Sequence, residues 1–192
     1  DRSFAFLLMC TAPLAIPAIV TDPRPDVEAA FLGLLFLGTT KIALARRSFS
    51  WQLGAATLLV LGFFTKQTVA PLAFVPCGII VIHSMQTRTI QWKRLLFSAT
   101  PGIILFLSIL AMKYLSPLVF EYMLVNPSQY SIRLSRVMRQ AFPDMKCFFF
   151  LPAFYLVAFP FRRNDTALTS IVAWVCTSLF VTTPFGLIAL IK

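Results

Sequence analysis

The sequence predicts an all-α protein, a polytopic bundle with about seven membrane segments in 192 residues. Three observations lead there. Hydrophobic residues make up 58% of the chain and charged residues only 12%, about half the charged share of an ordinary soluble domain. Apolar runs recur at 4–20, 26–45, 51–64, 68–84, 95–115, 147–161 and 167–190, and most approach the roughly 20 residues that a membrane-crossing helix needs. Strand alternation is absent, and open strands cannot leave backbone groups unpaired in lipid.

Other classes fall away on the same composition. Twenty phenylalanines and the aliphatic content exclude a disordered chain. The net charge of +10 comes from 17 basic residues that apolar runs keep apart, so no nucleic-acid-binding patch forms. Cys10, Cys77, Cys147 and Cys176 make no CxxC pair, and His83 is the only histidine, which argues against a zinc site. Each cysteine sits in an apolar run and reads as a small buried or lipid-facing side chain.

Run 4–20 begins almost at Asp1 and lacks the layout of a signal peptide. Asp1 at the start and an apolar segment before Lys192 lead us to expect a single transmembrane domain, 1–192, from the middle of a longer protein. After the first run comes Asp22-Pro23-Arg24-Pro25-Asp26, with Glu28 just beyond. Pro25 disfavours helix at Arg24 and suits the first helical position. Asp26 and Glu28 then fall in the first turn, at the positive end of the helix dipole. Alternatively, Arg24 and Asp26 stand on the rim of an outside-facing cavity.

Runs 51–64 and 68–84, read as one helix, would span about 50 Å against a hydrocarbon core of about 30 Å. The interruption is Thr65-Lys66-Gln67-Thr68 followed by Pro71, so two short helices are expected to meet at a polar turn around 65–70. Lys66 either snorkels to the headgroups or sits where the second helix begins. There, free N–H groups and the dipole favour an anion, and a lysine adds a point charge for phosphate.

Run 95–115 is long enough to cross. In the loop 116–146, Arg133, Arg136 and Arg139 share one helical face, with Leu134, Val137, Met138 and Phe142 broadly opposite. That is a short amphipathic helix suited to the interface. It would attract anionic headgroups or grip a lipid-linked phosphate. Glu121 is a lone acid available to pair with one of these arginines. Run 147–161 is short, but Phe142 and its neighbours extend it, and 167–190 closes the chain.

If run 26–45 points inward, the inside loops hold Lys41, Arg46 and Arg47, then Arg88, Lys93 and Arg94, then Arg162 and Arg163. The short outside turns hold only Arg24 and Lys66, as the positive-inside rule expects. The long loop 116–146 departs from the rule. Trp51 and Trp92 flank the inside loops as interfacial anchors. His83 ends an apolar run and receives no role.

Arg24-Pro25-Asp26, leading into an apolar helix through Gly33 and Leu34, resembles the start of a helix in polytopic glycosyltransferases of the GT-C class. Leu61-Gly62-Phe63-Phe64-Thr65-Lys66-Gln67-Thr68, about 40 residues on, resembles a second segment of the same enzymes. That class includes the protein O-mannosyltransferases and the lipid A aminoarabinose transferases. The likeness covers about residues 20–85. It implies an all-α enzyme of about a dozen helices, with a cavity on the non-cytoplasmic side, most simply in a bacterial plasma membrane. The reaction implied moves a sugar from a polyprenyl-phosphate donor to a hydroxyl of a glycan, lipid or protein acceptor. Substrate-binding residues would be Arg24, Asp26, Lys66, Gln67, Arg133 and Arg136. The family's acidic base lies in an outside loop that would precede Asp1, so Asp22, Asp26 and Glu28 are not assigned that role. No cofactor is identifiable, and a divalent metal is compatible with the longer enzyme. The partners implied are the bilayer, the lipid-linked donor and the acceptor, with no nucleic acid. The alternatives are a transporter or flippase of a lipid-linked or polysaccharide substrate, which shares broken helices and a basic cavity, and a non-catalytic membrane subunit.

Overall fold

The computed structural model describes residues 25–125, 152–157 and 166–189. Among them every regular element is helical. Helix α1 spans Pro25–Arg46, α2 Phe49–Thr65, a 3₁₀ helix Gln67–Phe74, α3 Val75–Thr87, α4 Trp92–Leu115 and α5 Ile171–Ala189. Pro117–Phe120 forms one α turn, Glu121–Val125 one π turn, and 152–157 a short helix. Run 4–20, Arg24, and the amphipathic stretch with Arg133, Arg136 and Arg139 lie outside the described residues.

Three helical runs are long and apolar enough to cross a membrane: Glu28–Arg46, Gln67–Thr87 and Trp92–Leu115. Phe49–Thr65 and the stretch Ile171–Thr182 are apolar but shorter. Of the seven expected segments, three thus correspond to helical runs of sufficient length among the described residues, while run 4–20 and most of run 147–161 lie outside them. Helix α1 starts at Pro25 as the sequence implies. Hydroxyls in the apolar helices turn back on their own backbone. Thr57 donates to the Leu53 carbonyl (3.1 Å), Ser108 to Ile104 (2.8 Å) and Thr177 to Ala173 (2.7 Å), which satisfies each donor without water.

The break between α2 and the next helix differs from expectation. It is one residue, Lys66, extended at φ −156° and ψ 128°. Pro71 does not interrupt the chain but sits inside the 3₁₀ helix, which runs directly into α3. The 3₁₀ winding uses i→i+3 bonds, and an eight-residue run of it is unusually long. It carries Pro71 through a stretch where α geometry would set the ring against a carbonyl. Pro76 is accommodated at the start of α3, where its missing N–H is not needed. The second helix is thus not short: with α3 it makes a continuous 21-residue run.

Packing fixes the directions. Gly54 faces Thr39 near the α1–α2 loop, and Gly62 faces Leu32 at the far end, so the two helices are antiparallel. One core cluster joins α1, α2, the 3₁₀ helix and α4 through Phe36, Leu59, Phe63, Val69 and Leu105. A second joins α1, α3 and α5 through Leu44, Ile79, Ile80 and Trp174. Gly62 sits in close contact with both neighbours: a Cβ there would lie 3.0 Å from Val69 Cγ1 and 3.4 Å from Leu32 Cβ.

A buried polar contact repairs α4. Pro101 lies inside that helix and has no N–H for the carbonyl of Phe97, four residues back. Gln52 of α2, 0% exposed, donates its Nε2 to that carbonyl at 2.7 Å. A neighbouring helix thereby supplies the bond that proline removes.

The loops gather at two ends. At one, Arg47 and the segment Ile90–Arg94 line a common cleft, and the Ala167 N–H donates to Gln86 Oε1 at 2.9 Å. At the other, Gln67 Nε2 donates to the Met123 carbonyl at 2.8 Å, tying the start of the 3₁₀ helix to the π turn. Helices α1 and α3 each end on an arginine in the left-handed region, Arg47 at φ 51° and Arg88 at φ 52°. The caps close with Ser48 N–H to Ala43 O (3.2 Å) and Thr89 N–H to Ser84 O (3.1 Å). Glycine usually fills such positions, and a side chain there costs about 1 kcal/mol.

Candidate functional site

The second sequence motif, Leu61–Thr68, borders an apolar cleft of about 640 Å³ between the 3₁₀ helix and α4. Its walls include Phe63, Ala70, Pro71, Phe74, Ile103 and Phe106. It follows α4 from Ala99 to Ile109, about 15 Å at 1.5 Å per residue. Gln67 and Leu124 border it at the end where the Lys66 break and the π turn meet. At the other end Cys77 lies beside Ser98, whose Oγ is 3.5 Å from its sulfur and donates to the Leu95 carbonyl at 2.7 Å.

The residues singled out in the sequence fare differently. Lys66 is partly exposed at the break, and its carbonyl accepts from the Val69 N–H at 3.2 Å, closing the first turn of the 3₁₀ helix. Gln67 lines the cleft, but its amide nitrogen is engaged by Met123. Its amide therefore has a structural task before any role toward a substrate. Asp26 lies in the first turn of α1, at the same end of the bundle as Lys66 because α1 and α2 are antiparallel. Gly33, two turns further, abuts Leu72 of the 3₁₀ helix. Arg24, Arg133 and Arg136 lie outside the described residues, so their place relative to the cleft does not enter the geometry. Glu121 is exposed on the π turn.

Lys41 corrects the sequence reading. It was expected in a basic loop, but α1 continues to Arg46 and buries it at 7% exposure. It lines a cavity of about 200 Å³ between α1 and α5, with Trp174 and Ser178 on the facing wall. His83, given no role from sequence, is buried with its Nε2 3.4 Å from Arg94 Nη1. The Gln52–Phe97 bond was also missed. A glutamine near the start of an apolar helix, with a proline inside another, was the available signal.

Among the described residues no group of His, Cys, Asp or Glu side chains is placed to hold a metal ion. Comparison with protein-family models, with curated proteins and with solved structures finds no match to this chain. The glycosyltransferase resemblance therefore rests on the two motifs quoted from the sequence.

Proposed function

We propose that the chain is part of a multi-pass membrane glycosyltransferase of the GT-C type, acting on a polyprenyl-phosphate-linked sugar. One observation carries the reading: the segment that resembles the family supplies both a wall of the apolar cleft, through Phe63 and Gln67, and the lysine beside it. The isoprenoid tail would lie along the 3₁₀ helix and α4, with the phosphate at the Lys66 end. The tail reaches the cleft from lipid, not from water, so it gains packing and little hydrophobic transfer. Affinity must then come mainly from the phosphate, where Lys66 supplies charge. As the sugar departs, negative charge builds on that phosphate, and a fixed cation stabilises it. The acceptor hydroxyl needs a general base, which the resemblance assigns to a segment before Asp1. A divalent metal would be a matter for the whole enzyme. Arg24, Asp26, Arg133 and Arg136 complete the proposed substrate rim.

The basic loops gathered at the opposite end favour a cytoplasmic position for that end and a non-cytoplasmic one for Lys66. A bacterial plasma membrane is the simplest location. The test is donor use by the full-length protein. Lys66→Ala should raise the donor KM and lower turnover while the protein still folds, and Lys66→Arg should restore only part, because charge returns with different geometry. Unaltered donor kinetics in Lys66→Ala would remove the phosphate role. The one-residue helix break at Lys66 also favours a second reading, a flippase. Movement of intact lipid-linked sugar without cleavage of its phosphate–sugar bond would establish that instead.

A further inference from the structure

The basic end of the bundle holds a second cleft, of about 630 Å³, where the end of α1 meets the start of α4. Arg47, Lys93 and Arg94 line it together with Leu44, Trp92 and Phe97. We infer that this cleft binds the headgroup of an anionic glycerophospholipid from the leaflet that this end faces.

Four observations point to that occupant. First, the charge is uncompensated within the described residues. Asp26 and Glu28 stand in the first turn of α1 and Glu121 beyond α4, all at the opposite end of the bundle. Second, the cations are placed by structure. Arg47 is set by the left-handed cap of α1. Arg94 is held by His83, whose Nε2 lies 3.4 Å from its guanidinium. A guanidinium only donates, so the ring nitrogen is the acceptor in that contact. The neighbouring Arg46 is engaged elsewhere, 5.8 Å from the Trp51 ring centroid. Third, apart from Gln91 the walls between the cations are apolar, which suits the glycerol and first acyl carbons of a lipid better than a free anion. Fourth, Trp92 is 63% exposed at the mouth, the position that tryptophan takes at headgroup depth. Basic pockets between helices bind anionic headgroups by this combination of charge and apolar wall. A zwitterionic lipid is disfavoured, because no carboxylate among the described residues stands by to pair its ammonium.

The full-length protein in phosphatidylcholine vesicles tests the inference through Trp92. Brominated phosphatidylglycerol should quench its fluorescence at a mole fraction at least about fivefold lower than brominated phosphatidylcholine, and Trp92→Phe should abolish that excess. Each of Arg47→Gln and Lys93→Gln should weaken the preference by up to about fivefold. Lys113→Gln, in the last turn of α4 at the opposite end, should leave it intact. Should Arg94→Gln fail to fold, the exposed Lys93 decides alone. Equal quenching by the two lipids would overturn the inference, as would a preference that survives loss of both Arg47 and Lys93. Displacement of brominated lipid by millimolar inorganic phosphate would assign the cleft to a free anion and equally overturn it.

Discussion

Replacing Gln52 by leucine isolates one bond. The Phe97 carbonyl lacks its helical partner because residue 101 is proline, and Gln52 Nε2 meets it at 2.7 Å. Leaving that carbonyl unsatisfied costs about 1–3 kcal/mol. The same substitution deletes Gln52 Oε1, which is buried with no hydrogen-bond partner among the described residues, and this returns about 1 kcal/mol. The net loss is up to about 2 kcal/mol, or up to about 8 °C in Tm for a chain of this size. Pro101→Ala gives residue 101 an N–H that bonds Phe97 within α4, so Gln52 becomes dispensable. Thermal unfolding of the four proteins of the double-mutant cycle, purified in one detergent, measures the coupling. Gln52→Leu should destabilise the wild-type background and leave the Pro101→Ala background within about 2 °C. If it lowers Tm equally in both, the bond does not compensate for proline and the reasoning fails.

Three further outcomes follow from the packing and the caps. Single cysteines at Gln67 and Arg88, which belong to opposite ends of the bundle, should label from opposite sides of a sealed membrane; labelling from one side refutes the topology. Gly62→Ala should cost up to about 3 kcal/mol by pressing on Val69 and Leu32, and adding Val69→Ala should recover part of the Tm. Arg88→Gly should raise Tm by about 2–4 °C, because glycine adopts the φ of 52° without the roughly 1 kcal/mol strain.

The sequence alone determined that the described segments are helical, and several of their limits. Lipid imposes a length and an apolar composition on any helix that crosses it, and both can be read one segment at a time. Pro25 marks the start of α1, and Lys66 marks the break, because proline and an isolated polar turn act on their immediate neighbours. Pro71 was misread, since whether proline ends a helix or rides within 3₁₀ winding depends on what packs around it. Tertiary structure decided the rest. Nothing local says that Lys41 turns into the bundle, because a lysine five residues from a helix end suits a loop or a buried face equally well. Gln52 and Phe97 are 45 residues apart, and Gln67 and Met123 are 56 apart. Such pairs meet only when helices choose their faces and directions, and so do the walls of both clefts. Those choices follow from side-chain packing summed over the whole bundle, which no single run of sequence contains.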